Sequence, residues 1–550
     1  MILMAVFLVL LIGMPVTWLA YFSVTDAKGA FTFENFRQIV TSPAFTGPFL
    51  TTFVLAVCVA LVCCAIAAPL GWLVARTNMP MARAVRALIM ASFVTPPFLG
   101  AIAWEILAAP NSGILNHLWR AASGAESDEY LFNIYSFEGL VFVIACYTFP
   151  FVFVLVTNAL ERIPAELEDA SAILGGTAWK TAANVTIPLA FPALLAGALV
   201  AFLQAMILFG SPAILALPAG FHTITTRIWT LFHHPAKPGL AAAAALPLLF
   251  LTVALLWGQT QLLGKRGYAI VGGRFGEARK LNLGRGRWAA FGVCLLVLAL
   301  SVFLPYTALI KTAFTRLISD PFTFEKLTLH HVRFVFFEFS QTQAALLNTL
   351  ILCVATATFG TLLAVFIAYI VHRRAIAGHQ ALGFLATAPV AIPGIVLGVG
   401  MFLSYTRPPL VLYGTLWILL LAFLTIELPA AYQQMQSAVR AIHPELEEAC
   451  RILGASRLKA LSAVTAPLLR TGIIAAWCFI FIGAMRELSA AIILFTANTK
   501  VLSVVIYDLN ESGDLGAISV LGLMMLIITF AVVLLVNRPQ GGGPRRLGGG

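Results

Sequence analysis

The sequence predicts an all-α integral membrane protein of about twelve transmembrane helices, arranged as two parallel six-helix repeats. Three observations carry this expectation. Sixty per cent of the 550 residues are hydrophobic, only 10% are charged, and the mean hydropathy is +0.95. Apolar runs of about 20 residues, the length that crosses a bilayer, recur along the whole chain. A polar passage, ELEDASAILGGTAWKT from Glu166, returns at Glu445 as ELEEACRILGASRLKA.

The apolar runs divide the chain at 1–24, 47–75, 84–108, 137–160, 191–215, 240–263, 288–311, 344–371, 382–405, 413–437, 471–496 and 514–537. The first run lacks a basic leader and a small-residue cleavage site, so it reads as a retained span. With the N-terminus on the cytoplasmic side, 22 of the 34 Lys and Arg residues fall in cytoplasmic segments. That excess is the positive-inside pattern, and it places both termini in the cytoplasm. The net charge of +11 then faces membrane lipids and the cytoplasm, which excludes nucleic acid as the expected partner. All eight cysteines lie in apolar spans or a cytoplasmic loop, so they read as small buried hydrophobes and imply no disulfide framework.

The repeat extends beyond the twin passages. Eight of thirteen positions are identical between Ile163–Gly175 and Ile442–Gly454. The same spacing pairs Pro150 with Pro429, Lys180 with Lys459, Pro188 with Pro467, Phe202 with Phe481 and Met206 with Met485. Upstream the spacing drifts, so that LGWLVAR (Leu70–Arg76) parallels FIAYIVHR (Phe366–Arg373), and FTFENF (Phe31–Phe36) parallels FTFEKL (Phe322–Leu327). Six spans per half put matching segments on the same side of the membrane, which makes the repeat parallel rather than inverted. The resulting organisation is a first span and external loop (1–46), a first unit (47–263), a basic cytoplasmic linker (264–288), a seventh span and external loop (289–343), a second unit (344–537) and a cytoplasmic tail (538–550).

Each twin passage reads as helix, break, helix. Glu166, Glu168 and Asp169 follow Pro164, and Glu445, Glu447 and Glu448 follow Pro444, where a helix dipole favours anions. Ala170 and Ala449 are small enough to admit a second surface, and Gly175 and Gly454 stand where a helix stops in a left-handed turn. A short second helix carrying Lys180 or Lys459 leads to Pro188 or Pro467 at the next span. One such passage could be a solvated loop; two at matched topology argue for a shared task.

These residues resemble the cytoplasmic loop of permease subunits of binding-protein-dependent ABC importers, with its pattern E-A-A-(x)3-G-(x)9-I-x-L-P. The matching residues are Glu168–Ala170 with Gly175 and Thr186–Pro188, and Glu447–Ala449 with Gly454 and Thr465–Pro467. Both copies depart from the pattern: an acid replaces the first alanine, four residues rather than three precede the glycine, and the closing steps end in TIP and TAP. The resemblance implies a type I ABC importer permease fold in a bacterial inner membrane. It also implies that each loop is a coupling helix docking one of two ABC ATPase subunits, with a periplasmic substrate-binding protein on the other face. It implies no enzyme activity and no cofactor in this chain, ATP and Mg being held by the partner subunits; no GxxxxGK[ST] motif is present. The fused layout looks like the ferric-iron and thiamine branch, and FGSPAILALPAGFHTITTRIWTLF (Phe209–Phe232) looks most like the iron(III) members. Thiamine, a polyamine or an organophosphonate are the alternative cargoes.

Ionisable residues inside spans are the remaining candidates: Glu105, Glu427, Arg486 and Glu487. The first-half counterparts of Arg486 and Glu487 are Ile207 and Leu208, so the halves differ along the passage. Glu427, Arg486 and Glu487 are expected either to line that passage or to form an ion pair between spans, with Glu427 as the candidate partner of Arg486. Glu427 and Glu487 could alternatively serve an ion-gradient-driven secondary transporter as proton or cation sites, and a scaffold role would leave these charges without use. His233–His234 lacks a third ligand at usable spacing and reads as solvated surface, so no metal site is expected.

Overall fold

A computed structural model describes residues 2–536 except 27, 127, 233–234, 265–279, 319, 321 and 375–377. His233–His234, most of the basic linker and the 538–550 tail lie outside the described residues. Among those described, every regular element is helical.

In the first half the main helices are α1 (Ile2–Ser23), α2 (Pro43–Arg76), the pair α3 (Ala82–Val94) and α4 (Pro97–Ala108), α5 (Phe137–Glu161), the short α6 (Ala165–Ile173), α7 (Ile187–Ile207) and α8 (Pro238–Gly264). The second half repeats them as α9 (Gly286–Phe314), α10 (Gln341–His372), the pair α11 (His379–Ala391) and α12 (Gly394–Tyr405), α13 (Leu416–Arg440), the short α14 (Glu445–Ile452), α15 (Ala466–Arg486) and α16 (Leu515–Val536). Among the described residues, ten helices are long and apolar enough to cross a membrane, or up to twelve spans if each bent pair counts as one.

Two of the expected straight spans are broken. The segments 84–108 and 382–405 bend by 98° at α3–α4 and by 108° at α11–α12. Hydropathy averages over both arms and misses the cause, which is Pro96–Pro97 in one half and Pro393–Gly394 in the other. Two further spans stop short of the expected 215 and 496: α7 ends at Ile207 and α15 at Arg486, where Leu208 and Glu487 turn extended. The chain then re-enters the protein through short helices, Gly210–Leu215 and Ile224–Thr230 in the first half, Ala491–Leu494 and Leu502–Ser512 in the second.

The same hydrogen bonds pin the re-entrant segments in both halves. The backbone N–H groups of Ile224 and Leu502 donate to the hydroxyls of Thr52 and Thr349, each at 2.8 Å. Thr225 and Ser503 hydroxyls donate to the carbonyls of Leu208 (2.9 Å) and Glu487 (2.8 Å), which have lost their helical partners. The duplication read from sequence is thus a duplication of tertiary structure.

Within each half, three helices form the core: α2, α5 and α7 in one, α10, α13 and α15 in the other. The first span of each half leaves it. Helix α1 packs on α12 and α8, and α9 packs on α4 and α16. Gly400 in α12 allows the first of these crossings, because a β-carbon there would lie 2.9 Å from the Pro15 carbonyl oxygen and 3.1 Å from the Pro15 Cβ. Gly400→Leu is therefore expected to lower stability by about 1–3 kcal/mol, read as a loss of thermal stability in detergent. Gly258→Ala, with nothing within 4 Å of the new carbon, is the expected neutral control.

Candidate functional site

The twin passages fold as their residues dictate. Pro164 and Pro444 precede the first residues of α6 and α14, with the acids in the opening turns. Gly175 (φ +79°) and Gly454 (φ +89°) adopt the left-handed conformation that ends each helix. The next N–H closes the turn backwards, Gly176 to the Ser171 carbonyl (2.8 Å) and Ala455 to the Cys450 carbonyl (3.2 Å). A β-carbon at either glycine would meet nothing within 4 Å, so the demand is conformational rather than spatial. After the second short helix (Ala178–Thr181 or Arg457–Ala460), a π-helical turn at Ala182–Thr186 and at Leu461–Thr465 leads into α7 and α15.

The acids divide by direction. Glu166, Glu445 and Glu448 are exposed, as are Ala170 and Ala449; Asp169 is half-buried. Glu168 and Glu447 turn inward to matching sites. Glu168 pairs with Arg76 at the end of α2 and accepts from the Thr186 hydroxyl at 2.9 Å. Glu447 pairs with Arg373, just past α10, at 3.0 Å, and accepts from Thr465 at 2.7 Å and Tyr369 at 3.0 Å. Each guanidinium also reaches a loop carbonyl, Arg76 to Ile163 at 3.3 Å and Arg373 to Ile442 at 3.2 Å. Burial pushes the Glu447 carboxyl up, but the Thr465 and Tyr369 hydroxyls and the Arg373 guanidinium outweigh it, and the net shift is downward. With the folded value depressed, the stabilisation is present above the ordinary carboxylate value and is lost as pH falls through the folded one.

Between acids and glycine, each helix ends in an apolar tip that the sequence reading did not single out. Ile173 and Leu174 are 86% and 87% exposed, and Ile452 and Leu453 are 85% and 89% exposed. They lie beyond the ends of the spans, on elements too short and polar to be lipid-facing helices. Large aliphatic residues thus stand almost fully exposed at equivalent places in the two halves.

The interior candidates are rearranged relative to expectation. Arg486 makes no direct ion pair with Glu427, although the two side chains lie close enough for their charges to attract each other. Its Nη1 donates to the Phe93 carbonyl of the opposite half at 2.8 Å, and its guanidinium lies 5.5 Å from the Phe93 ring centre. The reason is the bend in α3–α4: the helical partner of that carbonyl would be the N–H of residue 97, and Pro97 has none. At the other bend the carbonyl that faces Pro393 is that of Pro389, which accepts from the Ile392 N–H at 2.9 Å, while the Thr252 hydroxyl of α8 lies against the Ala391 carbonyl. Glu487 caps the turn that follows it, accepting from the Ala490 N–H at 2.8 Å. The Glu427 carboxyl packs on Gly483, where a β-carbon would collide with it. Glu105 accepts from the Tyr135 hydroxyl at 2.8 Å. On the face opposite the twin loops, a cavity of about 500 Å³ opens between the halves, walled by Trp229 and Phe232 on one side and Phe402, Tyr507, Asp508 and Glu511 on the other.

The twofold architecture and paired loops define a class, and comparison with known proteins gives its name. The family described as "Binding-protein-dependent transport system inner membrane component" matches residues 67–268 and again 360–540, more than half of the chain, and the protein belongs to that family. It is 27% identical to the ferric transport system permease protein of Actinobacillus pleuropneumoniae, over 80% of this chain and 63% of that one. It is 28% identical to a Haemophilus influenzae protein assigned by name to ferric transport, over 74% of this chain and 64% of the relative. The chain thus spans just under two thirds of the length of these two. A Salmonella paratyphi A permease assigned by name to 2-aminoethylphosphonate transport is 25% identical over 46% of this chain and 95% of its own length.

Arg486→Met should leave the Phe93 carbonyl unpaired and cost about 1–3 kcal/mol of stability. In a Pro97→Ala background, which restores a backbone donor, the cost should shrink. Thermal unfolding of the four proteins in a double-mutant cycle measures the difference.

Proposed function

We propose that this protein is the membrane-spanning subunit of an ATP-driven, binding-protein-dependent importer, forming the passage between its two halves and docking one ATPase subunit on each twin loop. The observation that carries the proposal is the pair of exposed apolar tips, Ile173–Leu174 and Ile452–Leu453, on equivalent elements outside the spans. Such a tip fits a cleft in a soluble partner, and the exposed acids around it supply a charged rim. In this reading the loops face the bacterial cytoplasm, both termini lie there, and a periplasmic binding protein delivers cargo to the opposite face. Closure of the ATPase pair rocks the halves between outward-open and inward-open states. The chain itself performs no covalent chemistry; ATP and Mg belong to the partner subunits.

Iron(III) is the cargo this reading favours, on the strength of the two ferric permeases among the relatives. Similarity to the aminoethylphosphonate permease supports an organophosphonate as the second choice.

Replacing Ile173, Leu174, Ile452 and Leu453 together by Asp should abolish co-purification of the ATPase and ATP-dependent uptake, while the protein remains in the membrane at its usual level. Uptake by vesicles holding this chain alone, collapsing with an uncoupler, would instead establish a gradient-driven transporter.

A further inference from the structure

We infer that Arg76 and Arg373 are positioning residues that transmit the movement of each docking helix to the membrane core, and that Glu168 and Glu447 are their inward-facing grips rather than contacts for the partner. The inference rests on the docking role proposed above and assigns the mechanical link behind it.

Four segments meet at each carboxylate. The arginine comes from the inner end of α2 or α10. The carboxylate belongs to the docking helix, the threonine to the π-helical turn that opens α7 or α15, and the bonded carbonyl to the loop leaving α5 or α13. All three core helices of a half are therefore tied to its docking helix at one point. The Arg76 side chain is 3% exposed and that of Arg373 is 8% exposed, so the bonds are shielded from water and competing ions.

The spacing argues against accident. Glu168 and Glu447 are separated by 279 positions, as are Thr186 and Thr465, whereas Arg76 and Arg373 are separated by 297. Insertions and deletions have shifted the arginines relative to the acids, yet each half re-forms the same arrangement of guanidinium, carboxylate, hydroxyl and carbonyl. The acids thereby divide into two jobs: Glu166, Glu445 and Glu448 remain exposed on the partner side, while Glu168 and Glu447 hold the helix to the core. A planar guanidinium that binds a carboxylate and a carbonyl together cannot be replaced by an ammonium, whose charge is the same but whose geometry is not.

The test uses the complete transporter with its ATPase subunits in vesicles. Spin labels placed at the exposed Leu118 and Leu410, one in each half away from the twin loops, report the nucleotide-driven change in distance between the halves. With Arg373→Lys, the ATPase subunits should still co-purify and hydrolyse ATP, most of the nucleotide-driven distance change should be lost, and iron(III) uptake per ATP should fall about tenfold. Exchanging the partners, Arg373→Glu with Glu447→Arg, should recover part of the movement. Thr465→Val, a milder variant that keeps the ion pair, should shift the same readouts in the same direction by less. An unchanged distance response in Arg373→Lys with the ATPase bound would overturn the strut alone, as would a parallel fall of hydrolysis and uptake in proportion to folded protein. Failure of the ATPase to co-purify with the unaltered chain would overturn the docking reading, and this assignment with it.

Discussion

Inside a bilayer no water is available to satisfy a backbone carbonyl or amide, so each must find its partner within the protein. Continuous helices meet that demand by themselves. This protein interrupts its helices at Pro97 and at Pro393, and again after α7 and α15. Each interruption strands polar backbone groups, and the structure answers with side chains: Arg486 for the Phe93 carbonyl, Thr252 for Ala391, Thr225 for Leu208 and Ser503 for Glu487. Two of these donors come from the opposite half. The need to satisfy broken helices is thus also what stitches the halves together along their seam.

The surface carrying the twin loops is built to different rules. There the two halves are nearly equivalent, with the same apolar tip, left-handed glycine, inward acid and buried arginine. The interior is not equivalent, since Arg486 and Glu487 stand where the first half has Ile207 and Leu208. The surface of the twin loops is thus close to symmetric, and the interior is not. Both features belong to one duplicated sequence whose copies have diverged.

Much of this was legible in the sequence. The twin passages, their helix-break-helix form and their terminal glycines follow from residue types at fixed spacing, and the structure reproduces them. The inward role of Glu168 and Glu447 was hidden because their arginine partners lie about 90 and 70 residues upstream at a drifted offset, beyond the reach of local pattern. The Ile-Leu tips were missed because aliphatic residues in an apolar chain read as core. The partner of Arg486 was legible in principle: a proline four residues after Phe93 announces a free carbonyl, though only the folded chain shows which side chain arrives there.

The crossing of α1 onto α12 and of α9 onto α4 bears on how the molecule comes into being. Helix α1 can meet α8 once the first half is made, but α12, the other surface on which it comes to rest, leaves the ribosome much later. Maturation therefore concludes with a clasping step, in which two bundles already inserted exchange their leading helices. Thereafter neither bundle is whole without the other, and a nascent chain halted midway exposes the unclaimed flanks of both α1 and α4 to the lipid.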